Sequence, residues 1–331
     1  MIGSAMALIA VTLLFTIPKT VAKVILALGV LVPSTSCLAA CVGWTSVFFE
    51  ASILGMFSYM LQYSFNLSSV QAFVVNAILS FTVSLILLKG FEKERVNEWA
   101  EIVASAIILA IVGLSYAFPQ ASSQVFFALA QSLWLVDGSA ANAFLFVAVA
   151  IAVVTILFEY NLFSFMFDPE FFEYKSGKMF WPWLTLFLLH LGVSSATLTI
   201  GLFATITVLS VPGILALKFK LRELEEMPWI LFSLTIYALW IGTLLSENFN
   251  VSELGVAGAI FIILIVLPDL WVWKDFHRLR SLGVKLAKAG KGYRGQEGEA
   301  GGLEEGKGDS SRKEEGAGGH SFDASERRRN K

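Results

Sequence analysis

The stretch Ser139–Tyr160 reads SAANAFLFVAVAIAVVTILFEY, and its only charged side chain, Glu159, stands next to the end. A helix rising about 1.5 Å per residue needs about 20 apolar residues to cross the hydrocarbon layer of a bilayer. The segment has that length and composition. Its apolar residues follow one another continuously, which excludes the period-two alternation of a membrane barrel. A helix satisfies every backbone N–H and C=O within the segment, as lipid requires.

Working outward, nine more apolar runs have the same character: Gly3–Ile17 (short), Val24–Trp44, Thr45–Ser64, Val70–Leu88, Trp99–Phe118, Met179–Leu198, Ile200–Leu217, Pro228–Ser246 and Glu253–Trp271. The prediction is an all-α, polytopic membrane bundle of about nine to ten transmembrane helices. Composition agrees: 56% of the 331 residues are hydrophobic and 15% charged, too few charges to coat a soluble domain of this size. The organisation predicted is an N-terminal hydrophobic helix within residues 1–23, a membrane domain over 24–273 and a charged tail over 274–331. The first run lacks the positive n-region of a cleaved signal and is read as retained. The tail, rich in Gly, Glu, Lys, Arg and Ser, cannot bury enough apolar surface to fold. Lipid is therefore the main surroundings of the chain, and nothing in its charge pattern calls for nucleic acid.

Lys and Arg gather in alternate loops: Lys89, Lys93 and Arg95, then Lys175 and Lys178, then Lys218, Lys220 and Arg222, then the start of the tail. Two helices separate each neighbouring pair of these blocks, so all four fit on the cytoplasmic side of a plasma membrane, tail included. The loops between, such as Asn66–Ser69 and Asn248–Ser252, hold no Lys or Arg. The parity leaves Lys19 and Lys23 on the outer side. The connection Pro119–Gly138 also comes out external, and its apolar centre, Val125–Val136, reads as a short interfacial or re-entrant helix.

No phosphate-binding loop, HExxH, paired CxxC or nucleophile elbow is present, so the chain is not read as an enzyme and no cofactor is expected. One predicted cytoplasmic loop, Asn161–Lys178, reads NLFSFMFDPEFFEYKSGK. Asp168 is placed to cap a short helix, with Pro169 at its first position, Glu170 in its first turn and Ser176–Gly177 as the stop. Such a helix, carrying Phe171, Phe172 and Tyr174, suits either a docking element or an amphipathic helix on the membrane surface.

FDPEFFEYKSG, after a span ending FEYNLFSF, resembles the coupling segment of the ABC-3 family. These are the permease subunits of manganese, zinc and iron importers, similar in fold to the vitamin B12 permeases. TLTIGLFATITVLSVPGILA (Thr197–Ala216), the block Arg222–Leu267, VFFEASILGMFSYMLQYSFNLS (from Val47) and RVNEWAEIVASAIILAIVGL (Arg95–Leu114) resemble other helices of the family in the right order. The resemblance implies a homodimeric permease, a separate cytoplasmic ABC ATPase, and an extracytoplasmic substrate-binding protein. It assigns ATPase coupling to Asp168, Pro169, Glu170, Phe171, Phe172 and Gly177. A secondary carrier or channel without an ATPase, or a scaffold that no longer transports, are the alternatives. The chain departs from the family pattern: an Asp followed by a Ser-His or Ala-His pair is usual in one helix, whereas here Glu50 is followed by Ile53 and Leu54. In the coupling segment Gly177 falls one residue late and Phe172 replaces a customary Ala.

The pathway candidates are the ionisable residues in apolar runs, which membranes tolerate chiefly for function. His190 lies mid-span and can bind a transition metal or simply bond a facing helix. Glu50 and Glu101 stand near span ends, where each can line a gate or reach the headgroups. Cys37 and Cys41, four apart on one helix, are candidate soft-metal ligands, with small-residue packing the alternative.

Overall fold

The computed structural model describes residues 2–42, 45–91, 95–124, 128–129, 131–162, 179–218, 226–249 and 251–264. The chain divides into two compact units, Met1–Leu270 and Trp271–Lys331, and the second lies outside the described residues. So does the coupling loop from residue 163 to 178.

All regular structure among the described residues is helical. The helices are α1 (Ile2–Leu13), α2 (Lys19–Val42), α3 (Thr45–Ser64), α4 (Ser69–Phe91), α5 (Val96–Ala117), α6 (Gly138–Leu157), α7 (Phe180–Ile200), α8 (Leu202–Lys218), α9 (Met227–Phe249) and α10 (Glu253–Leu264). Each predicted apolar run has its helix. Six of them, α2, α4, α5, α6, α7 and α9, are long and apolar enough to cross a membrane. Helices α1, α8 and α10 are shorter, at 12, 17 and 12 residues. Helix α3 has 20 residues but interrupts its apolar run with Glu50, Gln62 and several serines.

Burial sorts these helices into layers. In α7, 83% of the span is buried, against 22% in α5 and 28% in α6, so α7 is the axis and the other two are the coat. Helix α7 packs against α3, α4, α6, α2 and α8, while α2 also holds α6 and α9, and α9 holds α1. The coat exposes Ile102, Leu109 and Val112 on α5, Val74 and Ile78 on α4, and Phe146, Val153 and Ile156 on α6. Apolar faces of this extent mark a lipid-facing surface.

Two backbone features shape the axis. Gly201, at φ 84°, separates α7 from α8 in a conformation a side chain would strain, so one residue suffices to end one helix and start the next. Gly55 lets α3 lie against α7: a Cβ there would strike the Ser194 carbonyl and stand 2.6 Å from Thr197 Cβ.

The outer connection holds a four-residue helix, Pro119–Ser122, and a 3-10 turn, Leu133–Leu135, with Leu133 and Val136 buried. Of the short helix expected within Val125–Val136, residues 128–129 are helical, with the Ala128 N–H donating to the Gln124 carbonyl, and residues 125–127 and 130 lie outside the described residues. In its second part the Ser132 hydroxyl and the Leu133 amide both donate to Glu253. Lys23, which the sequence pattern leaves at the outer end, donates to Asn142 Oδ1 at 2.6 Å and so joins α2 to α6 near its start.

Gly55→Ala should force α3 from α7, costing about 1–3 kcal/mol of stability. Gly113→Ala, where no neighbouring atom lies within 4 Å of the new methyl, should stabilise by a few tenths to about 1 kcal/mol. Denaturation midpoints of the two variants in mild detergent check the contrast.

Candidate functional site

Glu50, one turn into α3, and His190, midway along α7, meet at the centre of the bundle. Both are fully buried. Glu50 Oε2 lies 2.5 Å from His190 Nε2, and His190 Nδ1 lies 2.6 Å from the Leu186 carbonyl oxygen. A carbonyl only accepts, so Nδ1 carries a proton. The short Nε2–Oε2 contact joins the two ionisable groups directly, each the partner of the other inside the bundle. Glu50 Oε1 has no partner among the described residues.

A polar network continues from the pair along α7. The Ser194 hydroxyl donates to the His190 carbonyl at 2.5 Å and accepts from Asn76 Nδ2 at 2.9 Å. Asn76, on α4, also donates to the Ser195 hydroxyl at 3.1 Å and accepts from the Ser58 hydroxyl of α3 at 2.9 Å. Ser80 lies 3.1 Å from Ser194. Every member is buried. Three helices are thus held together by hydrogen bonds, a common binding force where lipid removes the hydrophobic one.

Against known proteins, a family model for the ABC 3 transport family matches residues 59–272. The chain belongs to the ABC 3 transport family. Two solved structures share the fold with this family member at a TM-score of 0.61 each. One is PsaBC from Streptococcus pneumoniae in complex with Fab, at 17% identity, covering 74% of this chain and 90% of that one. The other is described as a metal-chelate type ABC transporter in an inward-facing conformation, at 14% identity, covering 82% and 97%. No curated protein matched the sequence. Membership makes this a multi-pass transport protein of the membrane, without catalysis of its own.

Of the pathway candidates in this ABC 3 family chain, the structure brings together Glu50 and His190, 140 positions apart. The headgroup alternative for Glu50 falls away, since no part of it reaches the surface. Glu101 stays outside the pair: it is exposed on α5 and accepts from Ser46 at 3.4 Å. Cys37 and Cys41 both lie in α2, and their side chains are outside the described residues. Among the described residues no group of three or more His, Cys, Asp or Glu is gathered to hold a metal. Asp168, Pro169, Glu170, Phe171, Phe172 and Gly177 also lie outside them.

Two polar anchors were not singled out by the sequence reading. Asn76 sits in an apolar run with nothing but its amide to mark it. Glu253, only 2% exposed, accepts from the Ser132 hydroxyl at 2.5 Å and from the Leu133 amide. Asp137 caps α6 through the Ala140 amide and accepts from Ser69 and Ser139. Partial burial opposes its charge, but these donors prevail and hold its carboxyl below the usual carboxylate range.

Asn76→Leu keeps the branched shape and removes the bonds to the hydroxyls of Ser58, Ser194 and Ser195. A loss of about 1–2 kcal/mol is expected, as for interhelical polar contacts in membranes, read from unfolding in detergent against the parent chain.

Proposed function

We propose that this chain is the permease subunit of an ABC importer for divalent transition-metal cations. It would act as a homodimer in the plasma membrane, with a separate ATPase at the cytoplasmic face and a binding protein outside. In that arrangement the six long spans are joined by α3, α8, α10 and the short α1 to make nine to ten crossings. The Lys- and Arg-rich loops and the tail face the cytoplasm.

The observation that carries the reading is the buried Glu50–His190 contact in a member of a transport family. Carboxylate oxygen and imidazole nitrogen together suit manganese, iron and zinc better than alkali metals. Intramembrane ionisable groups that pair inside a bundle commonly mark an ion pathway. The departure from the family pattern also becomes intelligible. The imidazole usual on the acidic helix is missing, with Ile53 and Leu54 in its place, and His190 supplies one to the same carboxylate from α7. With a single carboxylate and a single imidazole here, water or other groups would complete the coordination of the cargo in transit.

Addition of Mn2+, Fe2+ or Zn2+ to the purified permease–ATPase complex should raise its thermal midpoint. At a hundredfold excess over the dissociation constant the gain is about 2.7 kcal/mol. Glu50→Gln, which keeps the shape but lacks the charge, should abolish that shift, and His190→Gln should reduce it strongly. Equal shifts in parent and Glu50→Gln protein would remove the pair from the pathway.

Coupling is proposed to run through Asp168–Gly177, on the strength of its capped, aromatic sequence and its likeness to the family segment. Phe171→Ala and Phe172→Ala should each weaken association with the ATPase by about 1–4 kcal/mol, the range for aromatic interface anchors. Insertion and dimerisation should persist. Unchanged ATPase stimulation with both rings gone would make the loop a surface helix only.

A further inference from the structure

A cavity of about 70 Å³ opens at the end of the bundle that holds residues 66–69 and 131–137, between α3, α4, α7 and the connection before α6. Its polar lining comes from Tyr59 and Gln62 on α3, Gln131 and Asp137 on the connection, and Thr199 on α7. Tyr59 follows Glu50 by nine residues, and Thr199 follows His190 by nine. At 1.5 Å per helical residue the cavity therefore lies about 13 Å from the buried pair along the same two helices. Ser58, Asn76, Ser194 and Ser195 occupy the interval, so hydroxyls and one amide lead from cavity to pair through a bundle otherwise filled with Leu, Ile and Val.

The cover of this cavity is tied down from a distance. The Gln131 amide donates to the Ile200 carbonyl at 3.4 Å, and the next two residues, Ser132 and Leu133, both donate to one oxygen of Glu253 at the start of α10. Glu253 is itself held in place, because its carbonyl lies against Gly242 of α9, so closely that a side chain there would collide with it. A buried carboxylate that spends both its bonds on two adjacent residues of a cover is suited to hold that cover and to release it as a unit. Gln131 Oε1, buried beneath, has no partner among the described residues.

We infer that this cavity is the outer port of the cargo route and that Glu253 latches its cover. The inference rests on the importer reading, and it adds where the cation enters and in what form. Among the described residues the lining offers oxygen and amide groups, with no imidazole and no thiol. Oxygen donors suit a hard or borderline divalent cation that still keeps part of its water. The first nitrogen ligand it meets is His190, about 13 Å further in, and full dehydration is deferred to that point.

The test uses the permease–ATPase complex in proteoliposomes with ATP and the binding protein supplied, Cys37 and Cys41 replaced by Ala and Thr199→Cys introduced at the cavity wall. Thr199 is 2% exposed, so an impermeant methanethiosulfonate added outside should react slowly. Opening the cover from a minor population should speed labelling by about tenfold in Glu253→Ala. Ser132→Ala, which removes one of the two bonds and leaves the carboxylate, should give a smaller rise and decides the matter if Glu253→Ala fails to fold. Labelled protein should lose Mn2+ uptake. Labelling rates unchanged in Ser132→Ala, or in a folded Glu253→Ala, would overturn the latch. Fully labelled protein that still imports Mn2+ at the parent rate would overturn the port and leave the importer reading standing. Absence of Mn2+, Fe2+ and Zn2+ uptake by the unlabelled complex, with ATP and the binding protein supplied, would instead overturn that reading, and the inference with it.

Discussion

A carboxylate and an imidazole buried among apolar helices have no water to turn to, and the contact between Glu50 and His190 answers both needs at once. Much of the architecture follows from keeping that contact dry. Helices α3 and α7 carry many of the buried polar residues of the bundle, among them Glu50, Ser52, Ser58, His190, Ser194, Ser195, Thr197 and Thr199, and α4 adds Asn76, Ser80 and Ser84 on its inner face. Helices α4, α5 and α6, whose outer faces bear Val, Ile, Leu and Phe, meet the lipid instead. The ordering reverses that of a soluble protein only in appearance. Each side chain still goes to the medium that solvates it, and here the protein interior is the more polar medium.

Holding the pair also needs a close approach of two helices, and small residues permit it. Gly55 rests on the Ser194 backbone one turn and a half beyond Glu50. Without a Cβ at that point, α3 comes near enough for Ser58 to reach Asn76 and for Asn76 to reach Ser194. Glycine and the serines are therefore parts of one device: the first brings the backbones together, and the others hydrogen-bond across the space that remains.

The helices were legible in the sequence because each apolar run is continuous and lipid admits no other way to satisfy its backbone. Their ends moved by a few residues, where Lys19, Lys23 and Arg95 sit at or beside helix starts that hydropathy alone trims away. Glu50 and His190 were legible singly, as ionisable residues in apolar surroundings. Their pairing was not, because 140 positions separate them and no local pattern records which faces of α3 and α7 meet. Glu101 shows the converse. It has the same chemistry in a similar position, yet the helix that bears it is turned to the outside. Asn76 and the serines gave no signal, since each is common in membrane helices and only their convergence is informative. In the outer connection Leu133 and Val136 face the protein, and Glu253 supplies the acceptor for the Leu133 amide, a partnership across 120 positions that no local pattern records.

The kind of bond used between the cavity and the pair bears on how the proposed pathway would open. A route through this bundle has to part α3, α4 and α7, and the bonds that close it are single hydroxyl and amide contacts. Interhelical hydrogen bonds in membranes average about 0.6 kcal/mol, so each can be exchanged for water or for the shell of a hydrated ion at little cost. Interdigitated Leu and Phe in the same place would offer an ion nothing in return for separating them. Glu50 and His190 differ from the rest of the network. Their contact can be replaced only by something that satisfies an acid and an imidazole together, and a cation with open coordination positions does that where water or an alkali metal does so poorly. On the proposed cation route the network would therefore be permissive and the pair selective, an order that fits a passage in which admission precedes discrimination.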